Sequence, residues 1–309
     1  MILRSHVSNV SLAAQLPVSP PCFPFVLLFL IIGALFAAPP AAAQDTPYFV
    51  AYSHHLEEPG SLEVEFYSNY ATQKAGDDFI APWMEFEYGA TAWWTTEFYL
   101  DSQATFGQSA LYTGCRWENR FRPLMKEHWI NPVLYVEFEN TSGADKTLKE
   151  VVGFDNQFGD AEPNSQSRLE HDHELETKLI LSSDYKGWNI SENFISEKNL
   201  GHRPWEFGYA VGLSRPLALA ASPRPCNFCA ENFVAGVEFY GGLGTSKSLT
   251  TSGTSHYAAP ILQWQLPQGV SFSVSPGFGL NSDSHRLLLR WGVTYEFEGI
   301  GDKVRKIFR

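Results

Sequence analysis

Acidic side chains recur at every second position along this chain. Glu63 and Glu65, Glu85 and Glu87, Glu137 and Glu139, and Glu174 and Glu176 are such pairs, and Glu97 with Asp101 keeps the same parity. In an extended segment residues two apart point to one face, so each pair lies on a single wall. Arg116, Glu118 and Arg120 repeat the pattern with mixed sign, and Arg286, Arg290 and Glu296 do so near the C-terminus; Glu206 and Glu238 add single carboxylates. A face of this kind suits a solvated or salt-bridged interior. It also suits a negatively lined conduit that favours cations and polar neutral solutes.

Three other groupings bear on chemistry. His171-Asp172-His173 puts two imidazoles at period-two spacing, with His202, His256 and His285 expected near the same edge, but no four-ligand spacing accompanies them, so a metal is not expected. Ser282-Asp283-Ser284-His285 brings together a hydroxyl, a carboxylate and an imidazole. Adjacent strand residues point to opposite faces, so they form no triad by themselves, and a hairpin loop is the simpler account. Cys226 and Cys229 lie in a Pro-rich stretch, where a small disulfide is expected in an oxidising compartment; no His follows for haem attachment. No spacing calls for a cofactor.

The elements that carry these residues are strands. In Arg286–Phe297, Leu287, Leu289, Trp291, Val293, Tyr295 and Phe297 share one face, while Arg286, Leu288, Arg290, Gly292, Thr294 and Glu296 share the other. An apolar stripe of that length ending in aromatics is what a membrane β-barrel presents to lipid. Twelve segments of this type are predicted, at about 61–71, 79–88, 92–103, 110–121, 130–140, 172–184, 188–197, 204–215, 232–243, 256–266, 270–280 and 285–297. Each is near the ~9–11 residues that a tilted strand needs to cross the hydrocarbon. Short connections alternate with longer polar ones, above all 141–171 and 245–255, so the short side is expected in the periplasm. One long inner connection, 216–231, holds an Ala/Leu-rich piece expected to make a helical turn. Trp93, Trp94, Trp129, Trp188 and Trp264 fall at inner strand ends, and Trp83 and Trp205 towards the outer ends, as headgroup aromatics would.

Residues 1–43 read as an export signal: an apolar core from Phe25 to Phe36, then small residues, with cleavage after Ala43. Residues 44–60 are expected as a periplasmic segment, 61–297 as the barrel and 298–309 as a periplasmic tail. The formal net charge of −12, with 22 Lys+Arg against 34 Asp+Glu, argues against nucleic acid as a partner.

In the last strand, Arg290, Gly292, Tyr295 and Phe297 resemble the assembly signal of Gram-negative outer-membrane β-barrel proteins: a polar residue, a glycine, then two alternating aromatic positions. That resemblance implies recognition by the barrel-assembly machinery. Longer stretches, among them Trp129–Glu137, Leu179–Lys198 and Ser275–Phe297, are similar to an uncharacterised group of such barrels, which implies architecture without an activity. The sequence therefore points to an all-β chain, a single antiparallel transmembrane β-barrel of about twelve strands in a bacterial outer membrane. Its expected surroundings are outer-membrane lipid and small solutes. The expected role is a passive or facilitated path through a polar lumen lined by Glu65, Glu85, Glu87, Glu97, Asp101, Arg116, Glu118, Arg120, Glu137, Glu139, Arg286 and Arg290. A lipid-acting enzyme at the rim and a closed structural barrel are the alternatives.

Overall fold

The structure, a computed structural model, describes residues 47–301 except 75, 202, 223 and 225. The expected leader, His202 and the last eight residues of the expected tail lie outside the described residues. The strands are β1 (Leu62–Ala71), β2 (Phe79–Thr91), β3 (Trp94–Thr105), β4 (Ala110–Phe121), β5 (Asn131–Ser142), β6 (His171–Tyr185), β7 (Trp188–Asn199), β8 (Trp205–Pro216), β9 (Phe233–Thr245), β10 (Ser248–Leu249), β11 (His256–Gln265), β12 (Val270–Gly279) and β13 (Leu287–Phe297). All neighbours pair antiparallel, and β1 pairs with β13 from Leu62↔Phe297 to Ala71↔Leu288, which closes the sheet. Twelve strands make the wall; the two-residue β10 extends the β9 hairpin. Closure removes both sheet edges, the condition for backbone in hydrocarbon.

Sequence periodicity translates directly into the two faces. Along β13, Leu288, Arg290, Gly292 and Thr294 are buried while Leu287, Leu289, Trp291 and Val293 are partly exposed. Phe66, Phe98, Val136, Phe138, Leu262 and Val274 are among the exposed apolar side chains of the other strands. Together they form an outward hydrocarbon belt. The inner connections are mostly tight, and Lys186-Gly187, with φ of 52° and 81°, is a two-residue turn of left-handed residues joining β6 and β7.

Four expectations change. Residues 47–60 do not stand apart as a periplasmic segment: much of this stretch runs inside the barrel, where Glu238, Asn193 and Ser182 bind it. Trp83 is no headgroup aromatic, because its parity in β2 is inward; it is buried and donates to Glu85. Arg286 falls before β13 begins and is exposed in the outer connection instead of on the inner wall. Among the described residues of the 217–232 connection there is no helix over its Ala/Leu-rich part, only a 3₁₀ turn at Ala230–Asn232 after the bridged Cys226 and Cys229.

Candidate functional site

Two pieces of chain fill the barrel. From the side of the short turns comes the N-terminal segment. Glu238 on β9 accepts hydrogen bonds from the backbone N–H groups of Phe49, Val50 and Ala51 at 3.1, 2.8 and 2.7 Å. Asn193 on β7 pairs with both backbone groups of Tyr52, at 2.6 and 2.9 Å, the way a strand neighbour would. The His54 ring meets Ser182 at 2.9 Å and Glu127 at 3.0 Å. Burial and the neighbouring His55 push the His54 imidazole below its ordinary pKa.

From the other side comes the 143–170 connection. Arg290 on β13 donates to the Leu148 carbonyl, and Asn69 on β1 to that of Thr147. Val152 and Gly153 form single bridges to Gly208 and Gly244. The two inserts meet in one apolar cluster that includes Val50, Ala51, Val151, Val152, Tyr240 and Leu288. Below this cluster a cavity of about 340 Å³ remains, lined among others by Tyr52, Tyr67, Trp83, Glu65, Glu85 and Gln263.

The cross-strand register joins the carboxylates into one row. Glu296, Glu63, Glu87, Glu97, Glu118, Glu137, Glu176, Glu197 and Glu206 are each paired directly with the next, on β13 and then β1 through β8. Strands in a barrel are tilted, so a row of direct partners spirals. This one starts one residue from the inner end of β13 and finishes one residue from the outer end of β8. A second row one step along carries Glu65, Glu85, Tyr99, Arg116, Glu139 and Glu174.

Cations sit within these rows. Arg116 reaches Asp101 at 2.9 Å, Glu139 at 2.7 Å, Asp145 at 2.8 Å and Glu150 at 3.1 Å. Arg120 binds Glu87, Glu97 and Glu118. Lys178 lies 2.8 Å from Glu176 and 3.4 Å from Glu150. The inserts take part: the Tyr52 ring lies between Arg120 and Lys178, at 5.2 and 4.6 Å, and Lys149 Nζ sits 3.2 Å from the Tyr99 ring centre. Burial alone would push the Glu150 carboxyl up, but Lys178, Arg116 and Lys149 outweigh it and hold it down to about 2. Burial likewise opposes charge on Lys149, yet Glu137, Glu85 and Glu118 push it up to about 12. Both loop residues are therefore ionised where they dock.

Of the residues singled out from sequence, Glu65, Glu85, Glu87, Glu97, Asp101, Arg116, Glu118, Arg120, Glu137, Glu139 and Arg290 are buried within this arrangement. Arg286 alone is left out. Among the described residues these histidines do not converge: His171 and His173 are exposed, with His173 stacked on Phe138, whereas His285 is buried against Asp160 at 2.7 Å. Ser284 Oγ bonds Asn281 and the His256 carbonyl, so the rim hydroxyl is not directed at the imidazole beside it. Tyr52, Lys149 and Glu150 escape a strand-based reading because they arrive on inserts, and Glu197 because its partner row appears only once register is known.

Gly292 has a local reason to be glycine, since a Cβ there would overlap the Tyr67 ring on the adjacent strand. Arg290 holds the loop, as described above. Tyr295 and Phe297 pack edge to face at 4.6 Å.

No protein-family model and no curated protein matches this sequence. Among solved structures, an outer-membrane channel from Pseudomonas putida F1 aligns with a TM-score of 0.51 at 10% identity, over 82% of this chain and all of that one (100%). The KdgM porin aligns at 0.47 with 8% identity, over 76% and 99%. LpxR from Salmonella typhimurium aligns at 0.38 with 11% identity, over 76% and 99%. Identities this low speak to fold alone. The closed wall and its apolar belt are those of a transmembrane β-barrel.

Proposed function

We propose that the barrel is a gated path for small solutes, cations and polar neutral molecules before anions, in which the N-terminal segment and the 143–170 loop are the gate. The observation that carries this reading is the row of nine glutamates that runs from one rim to the other on the inner face. Acidic rings along a low-dielectric passage raise the local concentration of cations and exclude anions. The inserts are held by hydrogen bonds, ion pairs and an apolar cluster, and among the described residues the 143–170 loop joins the wall strands through only two isolated bridges, so both can leave without breaking the barrel's strand pairing. The likeness to a channel barrel is consistent with the reading and adds no solute to it. The same resemblance-based signal in β13, Arg290, Gly292, Tyr295 and Phe297, fits delivery by the barrel-assembly machinery.

Planar-bilayer recordings test the proposal. Deletion of residues 48–57 should raise conductance, and the combined change Glu85→Gln, Glu87→Gln, Glu97→Gln and Glu137→Gln in that background should lower cation preference. Unchanged selectivity in a conducting protein overturns the acidic path. An absence of conductance in both the native and the deleted protein favours a closed structural barrel.

A further inference from the structure

Four buried carboxylates from four separate pieces of chain converge on one point. Glu139 on β5, Glu176 on β6, Glu197 on β7 and Glu150 on the inward loop each offer an oxygen, and these oxygens lie within 4.8 Å of one another. Two cations border the group, Arg116 beside Glu139 and Glu150, and Lys178 beside Glu176 and Glu150. Against four carboxylates these two cations leave two negative charges; Lys149, which also acts on Glu150, is engaged by Glu137, and Arg116 is shared with Asp101 and Asp145.

The donors run out as well as the charge. Glu197 is only 8% exposed, and among the described residues no hydrogen bond or ion pair reaches its carboxylate. Glu139 Oε1 and Glu176 Oε2 are buried without a hydrogen-bond partner. A buried carboxylate facing other carboxylates with no donor is costly unless a proton or a cation joins it. Shared protons would serve one pair, whereas here lone pairs from four side chains aim at one volume.

We propose that Glu139, Glu150, Glu176 and Glu197 form a binding site for a hard divalent cation, Ca²⁺ by ligand type. Ca²⁺ takes six to eight oxygens, and four carboxylates supply four when monodentate and up to eight when bidentate, with water completing the shell; Mg²⁺ needs a tighter octahedron and retains more water. Three ligands belong to adjacent wall strands and the fourth to the loop, so the ion ties the loop to the wall. The site stands whether or not the barrel conducts.

Isothermal titration of CaCl₂ into the folded, full-length barrel, stripped with chelator, tests the site. One equivalent should bind, reversibly by chelator, and Ca²⁺ should slow proteolysis within 143–170. Glu197→Gln and Glu150→Gln should each weaken binding at least about tenfold, while Glu65→Gln, in the separate Glu63, Glu65 and Glu87 group, leaves it unchanged. Folding of each variant is read from its heat-dependent electrophoretic shift. If Glu197→Gln does not fold, Glu150→Gln decides, because its residue lies on the loop and not in the wall. No binding at millimolar Ca²⁺, binding that survives both substitutions, or binding lost in Glu65→Gln overturns the assignment.

Discussion

Glu238→Ala is expected to release the N-terminal segment. One carboxylate oxygen accepts three consecutive backbone N–H groups, from Phe49, Val50 and Ala51, and Val50 and Ala51 are 1% and 5% exposed. Removing the acceptor strands those donors, each at roughly 1–3 kcal/mol when no other partner replaces it. Water admitted by the missing side chain will satisfy some of them, so the docked state should weaken by about 3–6 kcal/mol in total. Even the lower value shifts the ratio of docked to released segment by roughly a hundredfold. Asn193, Ser182 and Asn189 still hold Tyr52, His54 and Tyr48, so release should be local to Phe49, Val50 and Ala51 and stay partial. Glu238→Gln retains an acceptor oxygen and should give a smaller effect in the same direction. Single-channel recording reads the change as more frequent opening, and limited proteolysis reads it as cleavage near Phe49. Equal opening and equal cleavage in native, Gln and Ala proteins would falsify the role of Glu238 as the clasp.

Three further outcomes follow from individual contacts. Leu289→Lys, on the partly exposed outer face of β13, should cost roughly 2–4 kcal/mol on folding into vesicles, whereas Thr294→Lys, opposite Glu65 on the cavity side, should cost little; equal costs by urea titration would mean the outer face does not meet lipid. Gly292→Ala forces the Tyr67 ring aside and should destabilise by roughly 1–3 kcal/mol, with Tyr67→Ala in the same chain recovering part of the loss; an unchanged urea midpoint refutes the overlap. Burial holds the docked His54 below its ordinary pKa of about 6.5, so the released segment binds more protons than the docked one once pH falls below about 6.5, and docking weakens from there down to the depressed value. Opening should therefore rise on acidification through that window and lose this dependence in His54→Gln; a pH profile identical in the two proteins removes His54 from the gate.

Strand number, parity and the order of connections were legible because lipid outside and polar groups inside impose a period of two, and a tilted crossing imposes a length. Leu287, Leu289 and Trp291 declare the outer face of β13 without any knowledge of its neighbours. Leu288 exposes the limit of that reasoning. Its parity is that of Arg290 and Thr294, yet it is fully buried in the apolar cluster that the two inserts form. Periodicity tells which way a side chain points and is silent on what fills the space it points into. The segment after Pro47 has no strand period, and the 143–170 loop reads as polar surface, so neither announces that it turns inward. Register is the other hidden quantity. Alternation marks Glu137 and Glu176 as inward, but that they are direct neighbours in a nine-membered row depends on loop lengths and bulges, such as the shift between Asp101 and Ser102 in the β3–β4 pair.

The inserts and the acidic wall are energetically one system. Glu137, on the wall, faces Lys149 at 3.8 Å, and Lys149 is delivered by the loop. Arg120 and Lys178, the wall's own cations, hold their places against the Tyr52 ring, which the N-terminal segment delivers. Docking thus brings charges of both signs and polarisable surface to the wall, Lys149 to Glu137 and Asp145 and Glu150 to Arg116 and Lys178, and undocking removes them together. An open state reached by releasing the loop leaves Glu137 and Glu85 without Lys149, and Arg116 and Lys178 without Asp145 and Glu150. Lys149→Gln separates the two effects. It should loosen the loop by stranding Glu137, and at equal conductance it should give the same selectivity as the native open state. A higher cation preference in Lys149→Gln than in the native open state would mean that Lys149 does not leave on opening, and that the loop is not the moving part.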